Sequence, residues 1–247
     1  MPLRETEAIV LRSFPLGEAD RLVSFLGRTT GRLRGVARGA RRTKSRFGST
    51  LETLSHIRMW FYERETRELV RINQCELIES FLEAQCEYEA GLALAQVSEI
   101  TEAVLPERET SDAMFRLVLL TARAIAARKS GELSLAYFNL WTVRLGGWLP
   151  NLEVCKKCGR EVRGETVYAG VSRAGVHCAN CRTPGARTIS AKALQLAQGM
   201  LREKLETFRE RDWGTATATE LNYYLMDVIE HQTERKLTTR RVREAQL

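Results

Sequence analysis

Four cysteines in the second half of the chain form two pairs with the same spacing. Cys155 and Cys158 enclose two residues, Cys178 and Cys181 enclose two more, and nineteen residues lie between the pairs. A C-x2-C loop turns both of its sulfurs toward one centre, and two such loops supply the four thiolates of a tetrahedral Zn2+ site. We therefore predict one zinc ion. Because all four ligands come from the protein, no position stays open for water or substrate, and the metal is expected to be structural.

Two disulfides, or four unrelated buried cysteines, are the alternatives to a metal site. The other two cysteines, Cys75 and Cys86, have no partner at such a spacing. The opening MPLRETEAIVLRS contains two acids and no apolar core segment, which argues against secretion. No apolar run approaches the roughly 18 residues of a transmembrane helix. We therefore expect a cytoplasmic protein without a membrane segment, in which cysteine pairs suit a metal better than disulfides.

The second pattern is a basic segment near the N-terminus, residues 28–46, which contains eight positive charges and no acid. Most of these residues are arginines, whose planar guanidinium can bind two oxygens of one phosphate. Solvated surfaces normally mix charges of both signs, so the pattern favours nucleic-acid binding over a solvated surface. The predicted contacts are Arg28, Arg32, Arg34, Arg38, Arg41, Arg42, Lys44 and Arg46.

Aromatic side chains beside the basic segment would give unpaired bases a surface for stacking. Trp60 and Tyr62 alternate on one predicted strand and so share a face, and Phe47 follows the basic segment directly. We include Trp60 among the predicted nucleic-acid contacts. The residues leave core packing of Trp60 open as an alternative.

Catalytic constellations are missing from the sequence. The three histidines, His56, His177 and His231, lie in separate segments, and the motifs of phosphate-binding loops, zinc proteases and nucleophile elbows do not occur. We therefore predict that the protein is not an enzyme. Two alternatives stay open: a zinc-containing module associated with RNA or the ribosome, and a nucleic-acid-modifying enzyme whose catalytic groups the sequence does not reveal.

The segments around the basic residues are predicted to be strands. Apolar residues recur, partly in alternation, in the runs 6–12, 21–27, 32–38, 54–62 and 66–72. Residues 28–31 are typical of a hairpin turn, with Gly31 where a positive φ is favoured, and residues 63–65 suggest a second hairpin. The even spacing of Arg32, Arg34 and Arg38 places them on one face of a strand. Five short strands match a small Greek-key barrel such as the OB-fold, although periodicity alone does not exclude an SH3-like barrel.

From about residue 77 the apolar period changes to three and four, which predicts helices. The predicted helices are 80–105, ended by Pro106; 113–129, with Gly131 past its end; 133–145; 191–209, opened by Ser190; and 217–236. The tail 240–243 is expected to fray. The zinc element spans residues 153–184 and contains a small predicted hairpin between the cysteine pairs. An element of about 30 residues buries too little surface to fold alone, so the metal should supply the missing stability.

The net charge of +7 is unevenly distributed along the chain. Residues 1–78 hold fifteen Lys/Arg against nine Asp/Glu, residues 79–150 hold six against ten, and residues 151–247 hold seventeen against twelve. A basic first part, an acidic middle and a basic last part indicate modular construction and a polyanionic partner.

Segments along nearly the whole chain resemble the bacterial RecO family of recombination mediators. The match points are TEAIVLRSFPLGEADRLVSFLGRTTGRL at the start, ARGARRTKSRFGSTLE after the basic strand, ELIESF before the first helix, and FNLWTVRLGGWLPNLEVCKKCG leading into the first cysteine pair. Each segment alone is weak evidence, whereas the combination is specific.

The resemblance implies an α+β multidomain protein. Its domains would be an N-terminal OB-fold for nucleic-acid binding, residues 1–78, and a helical domain, residues 79–247, into which the zinc element is inserted. It further implies binding of single- and double-stranded DNA, annealing of complementary strands, and partnership with RecR and the single-strand-binding protein, which together help to load RecA. A cytoplasmic, nucleoid-associated location follows. By this resemblance, the basic residues at 32–46 would contact DNA and the four cysteines would bind the metal.

Overall fold

The computed structural model describes residues 3–63, 68–127, 131–170, 175–209 and 213–245. The chain forms two compact units. The first comprises Met1–Ala126 together with Thr239–Leu247, and the second comprises Ala127–Thr238. The domain boundary predicted between residues 78 and 79 falls at the end of the last barrel strand, and it stays a prediction.

Five strands of the first unit close into a barrel. They are β1 (Leu3–Leu16), β2 (Asp20–Gly27), β3 (Gly31–Ala37), β4 (His56–Tyr62) and β5 (Val70–Glu79). Their order around the barrel is β1-β2-β3-β5-β4, and β4 pairs with β1 to complete the circle. Only β3 and β5 pair in parallel; the other pairs are antiparallel. This five-stranded Greek-key barrel confirms the predicted OB-fold.

Alternation along the strands separates the barrel core from its outer surface. In β3, for example, Leu33 and Ala37 are buried in the core, whereas the intervening Arg34 and Val36 are partly exposed on the outside. The segment between β3 and β4 also contributes to the core through Phe47 and Leu51. Phe47 is therefore a core residue, which corrects its interpretation as a possible base-stacking side chain.

Each predicted run contains part of a strand, but two strands extend well beyond their predicted bounds. The sequence pattern predicts an end of β1 at residue 12, yet its hairpin with β2 continues to Leu16, which pairs with Asp20. Strand β5 continues to Glu79 because it pairs with β4 along most of its length. The predicted turn at 28–31 is confirmed, with Gly31 at φ +73°. The hairpin predicted at residues 63–65 lies mostly outside the described residues.

The helices of the described chain follow the barrel. They are α1 (Leu82–Gln85), α2 (Tyr88–Val104), α3 (Asp112–Ala126), α4 (Gly131–Leu145), α5 (Ala191–Met200), α6 (Leu205–Arg209), α7 (Thr215–Thr233) and α8 (Thr238–Glu244). Helix α2 ends as predicted, because Leu105 precedes a proline and adopts an extended conformation. Ser190 caps α5 as predicted: its side-chain oxygen accepts a hydrogen bond from the Ala193 N–H.

Four helix predictions need correction. The helix expected over 80–105 is divided into α1 and α2, because Glu87 adopts an extended conformation and starts α2 as its N-cap. The helix expected over 191–209 is divided into α5 and α6 at residues 201–204. Gly131 is the first residue of α4, and so does not terminate α3. The tail expected to fray forms α8, where Arg240 Nε donates to Glu244 Oε1 at 2.8 Å one turn later.

The second unit contains a small sheet in addition to the helices α4, α5, α6 and α7. Its strands β6 (Val167–Ala169), β7 (Val176–His177) and β8 (Arg187–Ile189) are arranged in the order β7-β6-β8. The strands β6 and β7 correspond to the hairpin predicted inside the zinc element; its predicted turn at residues 173 and 174 lies outside the described residues. Among the described helices, none is both long and apolar enough to cross a membrane.

Gly31→Ala should destabilise the barrel more than Gly17→Ala. The two glycines have φ of +73° and +60°, so each substitution adds backbone strain of about 1–2 kcal/mol. A Cβ on Gly31 would also lie 2.5 Å from the Glu109 backbone oxygen, whereas nothing lies within 4 Å of a Cβ on Gly17. Because of the additional clash, we expect Gly31→Ala to lower the free energy of unfolding by about 1–3 kcal/mol more than Gly17→Ala does. Urea unfolding of the two variants measures this difference. Equal losses would contradict this account of the Gly31 contact.

Candidate metal centre and nucleic-acid interface

The four predicted cysteine ligands lie together in the second unit. The sulfurs of Cys155, Cys158, Cys178 and Cys181 all lie within 4.8 Å of one another. The sulfurs of Cys158 and Cys178 are 3.8 Å apart. Four thiolates around a zinc ion at about 2.3 Å define a tetrahedron with edges of about 3.8 Å, whereas a disulfide needs about 2.05 Å. All six cysteines are free thiols. The group therefore fits a metal ion, and the disulfide alternative is wrong.

Two tight turns place these sulfurs. In the first, Gly159 has φ +73° and its N–H donates to the Cys155 backbone oxygen, which bends the chain back after Cys158. In the second, the chain forms a 3-10 turn at Ala179–Cys181, where the Cys181 N–H donates to the Cys178 oxygen. The Lys156 N–H donates to the Val176 oxygen and thereby connects the two turns. The remaining cysteines are elsewhere: Cys75 in the barrel core and Cys86 exposed after α1.

Hydrogen bonds at this centre favour the thiolate form of Cys155 and Cys178, the form that a metal requires. In contrast, burial and the neighbouring sulfurs raise the pKa of Cys181 to about 12. Burial raises the pKa of Cys155, but backbone N–H groups of both turns donate to its sulfur, and the net result is a pKa of about 6. Burial also raises the pKa of Cys178, while hydrogen bonds from Cys181 and Arg160 lower it below its usual value. The Arg160 guanidinium is held in place by two hydrogen bonds to Glu165, of 2.8 and 2.7 Å. A fixed cation beside a group of thiolates offsets their negative charge.

The first three arginines of the basic segment, Arg28, Arg32 and Arg34, are paired with acids of the same unit. Arg28 Nε donates to Asp112 Oδ1 at 2.8 Å and Arg28 Nη1 to Glu7 Oε2 at 3.0 Å. Arg34 Nε is 2.7 Å from Glu107 Oε1. Arg32 is the least exposed of the three: it donates to the Leu105 backbone oxygen at 2.8 Å, and Glu107 lies 3.8 Å from it. The segment 105–112 thus covers β3 and the turn before it, and we name it the acidic segment.

The other five basic residues follow β3 and are exposed: Arg38, Arg41, Arg42, Lys44 and Arg46. Among the described residues, none of the five has a carboxylate within ion-pair distance. We name residues 38–46 the basic loop. Its positive charge is available to an anionic ligand, in contrast to the charge of Arg28, Arg32 and Arg34. The predicted face of Arg32 and Arg34 is confirmed, since both lie on the outer side of β3, whereas Arg38 follows the strand.

Hydrogen bonds at one end and core packing at the other hold the basic loop. At its start, the Gly39 N–H donates to Asp20 Oδ1 at 2.8 Å and the Arg41 N–H donates to the Ala19 oxygen at 2.9 Å. The Arg41 side chain donates to the Gly17 oxygen at 2.7 Å. These bonds attach the loop to the turn of the β1–β2 hairpin. At its end, Phe47 is buried in the barrel core.

Trp60 lies on the outer side of β4 and is partly exposed, so the core alternative is wrong. Its indole N–H donates to Glu5 Oε2 at 3.0 Å. Tyr62 shares this outer face, as predicted from the spacing. The acidic neighbour makes the surroundings of Trp60 less favourable for a phosphate than those of the basic loop. A DNA contact by Trp60 stays a prediction.

Sequence reasoning missed the acidic segment as a partner of the basic one. Glu107 and Asp112 are more than seventy positions from the arginines that they pair with. The acidic composition of residues 79–150 indicated a site of charge neutralisation, but it did not show which cation is neutralised.

Comparisons with known proteins agree along most of the chain. Residues 1–81 match the family model "Recombination protein O N terminal" and residues 87–241 match "Recombination protein O C terminal". The chain is 36% identical over 237 residues to the DNA repair protein RecO of Koribacter versatilis, covering 96% of both chains. It is 35% identical to the protein of that name from Streptomyces griseus, over 90% of this chain and 89% of the relative. It is 32% identical to that of Syntrophobacter fumaroxidans, over 96% and 95%.

Cys178→Ser should remove most of the bound metal, because a tetrahedral site loses one of its four thiolates. We expect about one metal ion per chain in the unchanged protein and a large loss in the variant, measured by elemental analysis after dialysis. Hydrogen exchange should accelerate around the two cysteine turns and remain unchanged in the barrel. Cys86→Ser, which alters an exposed cysteine outside the group, is the matched control and should keep the metal. Full metal retention by Cys178→Ser would contradict the assignment.

Proposed function

The chain belongs to the RecO family of DNA repair proteins, and we propose that it binds DNA as a recombination mediator without catalysing a covalent reaction. The observation that carries the proposal is the basic loop on the barrel. It offers five exposed cations, and it is attached to the barrel at both ends. Such an arrangement supports contacts to a phosphate backbone whatever the base sequence.

We propose that the two parts of the predicted DNA-binding set have different roles. Arg38, Arg41, Arg42, Lys44 and Arg46 would supply most of the affinity, since their charges are unpaired among the described residues. Arg28, Arg32 and Arg34 would contribute less, because a phosphate must first displace Asp112 or Glu107. Exchange of a carboxylate for a phosphate leaves the number of ion pairs unchanged, and the net gain is therefore small.

The finer activities are proposed from family membership. The chain would bind single and double strands, anneal complementary strands, and act with RecR on DNA coated by the single-strand-binding protein, so that RecA can be loaded. It would do so in the cytoplasm, at the nucleoid. The four cysteine sulfurs of the two turns would be the protein ligands of one structural Zn2+.

Annealing by the purified chain tests the proposal directly. We expect complementary strands to anneal faster in the presence of the protein, without any nucleotide, and to be recovered chemically unchanged. Fluorescence of labelled strands reports the annealing, and mass spectrometry of the recovered strands reports any covalent change. A protein that modifies the strands, or one that prefers structured RNA to DNA, would contradict the proposal in favour of the alternatives raised by the sequence.

Replacement of Arg42, Lys44 and Arg46 by Ala should weaken DNA binding and reduce its salt dependence. For single strands, the slope of log K against log[salt] should become less negative by about 0.7 for each phosphate that the variant no longer binds. Fluorescence anisotropy at several salt concentrations measures both quantities. The matched control is the double replacement of Arg28 and Arg34, which removes two charges that are already paired. A larger loss of affinity in this control than in the loop variant would show that the affinity lies on the paired residues.

Glu107→Gln should strengthen DNA binding, because it releases Arg34 and the nearby Arg32 from their shared acidic partner. The salt slope for single strands should become more negative by about 0.7 for each cation that gains a phosphate. Glu109→Gln is the matched control, since it removes the same charge from the same segment without breaking any ion pair of the described residues. Identical effects of the two substitutions would indicate that loss of a negative charge alone strengthens DNA binding, and that the release of an arginine does not contribute.

A further inference from the structure

A row of outward-facing side chains crosses all five strands of the barrel. The pairing registers place Phe14 on β1 opposite Leu22 on β2, Leu22 opposite Val36 on β3, Val36 beside Arg71 on β5, and Arg71 opposite Tyr62 on β4. We name these five residues the cross-strand strip. Because neighbouring strands are about 4.8 Å apart, the strip extends about 19 Å along the barrel surface.

The members of the strip face away from the barrel core and remain accessible. Phe14 is 48% exposed and Arg71 is exposed, while Leu22, Val36 and Tyr62 are partly exposed. Their neighbours along the strands, such as Val23, Ala37 and Ile72, are buried in the core. The strip is thus a surface with an aromatic ring at each end, aliphatic side chains between them, and one cation.

The charges around the strip favour an anionic ligand. The strip contains no carboxylate, and Arg71 has no acidic partner within ion-pair distance among the described residues. The strip also lies next to the basic loop, because the chain enters that loop directly after Val36 and Ala37. On the other side, Gly39 and Arg41 are hydrogen-bonded to the turn of the hairpin that carries Phe14.

We propose that the cross-strand strip is a stacking surface for the unpaired bases of a single strand whose phosphates contact the basic loop. The inference rests on the proposed DNA-binding function. It adds that the outer barrel surface recognises the unpaired bases of the nucleic acid. Bases stack on Phe14 and Tyr62 and lie over Leu22 and Val36, while Arg71 contacts a phosphate or a base face. A duplex keeps its bases stacked inside the helix and cannot use the strip in this way.

A single nucleic-acid strand fits this surface better than an apolar protein segment does. An apolar segment would gain nothing from Arg71 or from the five cations of the basic loop, and it would bury Arg71 without an acidic partner. A single strand carries both a phosphate backbone and aromatic bases, so it satisfies the cations and the rings together.

An abasic oligonucleotide separates stacking from phosphate binding. The full chain is titrated with a labelled oligothymidine and with an abasic strand of the same length, which has the same phosphates and no bases. We expect the unchanged protein to bind the normal strand at least about tenfold more tightly than the abasic strand. The double variant Phe14→Ala/Tyr62→Ala should lose about tenfold or more for the normal strand and change less than about twofold for the abasic strand. Its salt slope should not change.

Three control variants keep the outcome unambiguous. Tyr62→Phe retains the ring and should retain the preference for the normal strand. Tyr88→Ala removes an exposed aromatic side chain outside the strip and should have no effect on either strand. Arg42→Ala should weaken binding of both strands by the same factor, because it removes only a phosphate contact.

The possible failures are distinguishable. If the double variant keeps its preference for the normal strand, bases do not stack on the strip, and the strip serves another ligand such as an apolar protein segment. An unchanged protein that binds both strands equally overturns the stacking proposal and leaves phosphate binding by the basic loop intact. Absence of binding to either strand contradicts the proposed function itself.

Discussion

Closure of the barrel by β1 determines the arrangement of the entire surface that we propose for DNA binding. This strand pairs with β2 on one side and with β4 on the other, and it contains an irregularity between Val10 and Arg12. Before that point Ala8 and Val10 face the core; beyond it, Phe14 lies outside, opposite Leu22. Since side chains alternate with period two, a shift of register by one residue would exchange the inner and outer faces. The outward row and the hairpin that holds the basic loop both depend on this register.

The basic residues between positions 28 and 46 fall into two classes according to their place on the barrel. Arg28, Arg32 and Arg34 lie on β3 and the turn before it, where the acidic segment packs against them: the Arg108 N–H donates to the Arg32 oxygen at 2.9 Å. After Ala37 the chain leaves the sheet, so its cations extend beyond the reach of the acidic segment. The acidic middle part of the sequence is thus not a separate module. Part of it neutralises a strand of the barrel.

Structural features that depend on a few neighbouring residues could be predicted from local patterns in the sequence. The C-x2-C spacing predicted a group of four sulfurs because the two turns have few alternative conformations, and the turn at Gly31 followed from its need for a positive φ. The outer surface could not be predicted in this way. Whether Phe14, Leu22 and Val36 lie in one row depends on two strand registers and a bulge. Whether Arg34 is neutralised depends on Glu107, far along the chain. Tertiary pairing of this kind leaves no periodic signal in the sequence.

The two kinds of contact proposed for the barrel respond differently to solution conditions. Phosphate contacts act over a Debye length of about 8 Å at physiological salt and are exchangeable among neighbouring cations. Stacking needs direct contact between a base and a ring, and it depends little on salt. A surface that combines the two can capture any strand through charge and then retain preferentially the strands whose bases are unpaired. In the proposed annealing, the bases would leave the rings when two complementary strands pair, and only the phosphate contacts would remain. Pairing itself would therefore weaken binding of the protein to the duplex.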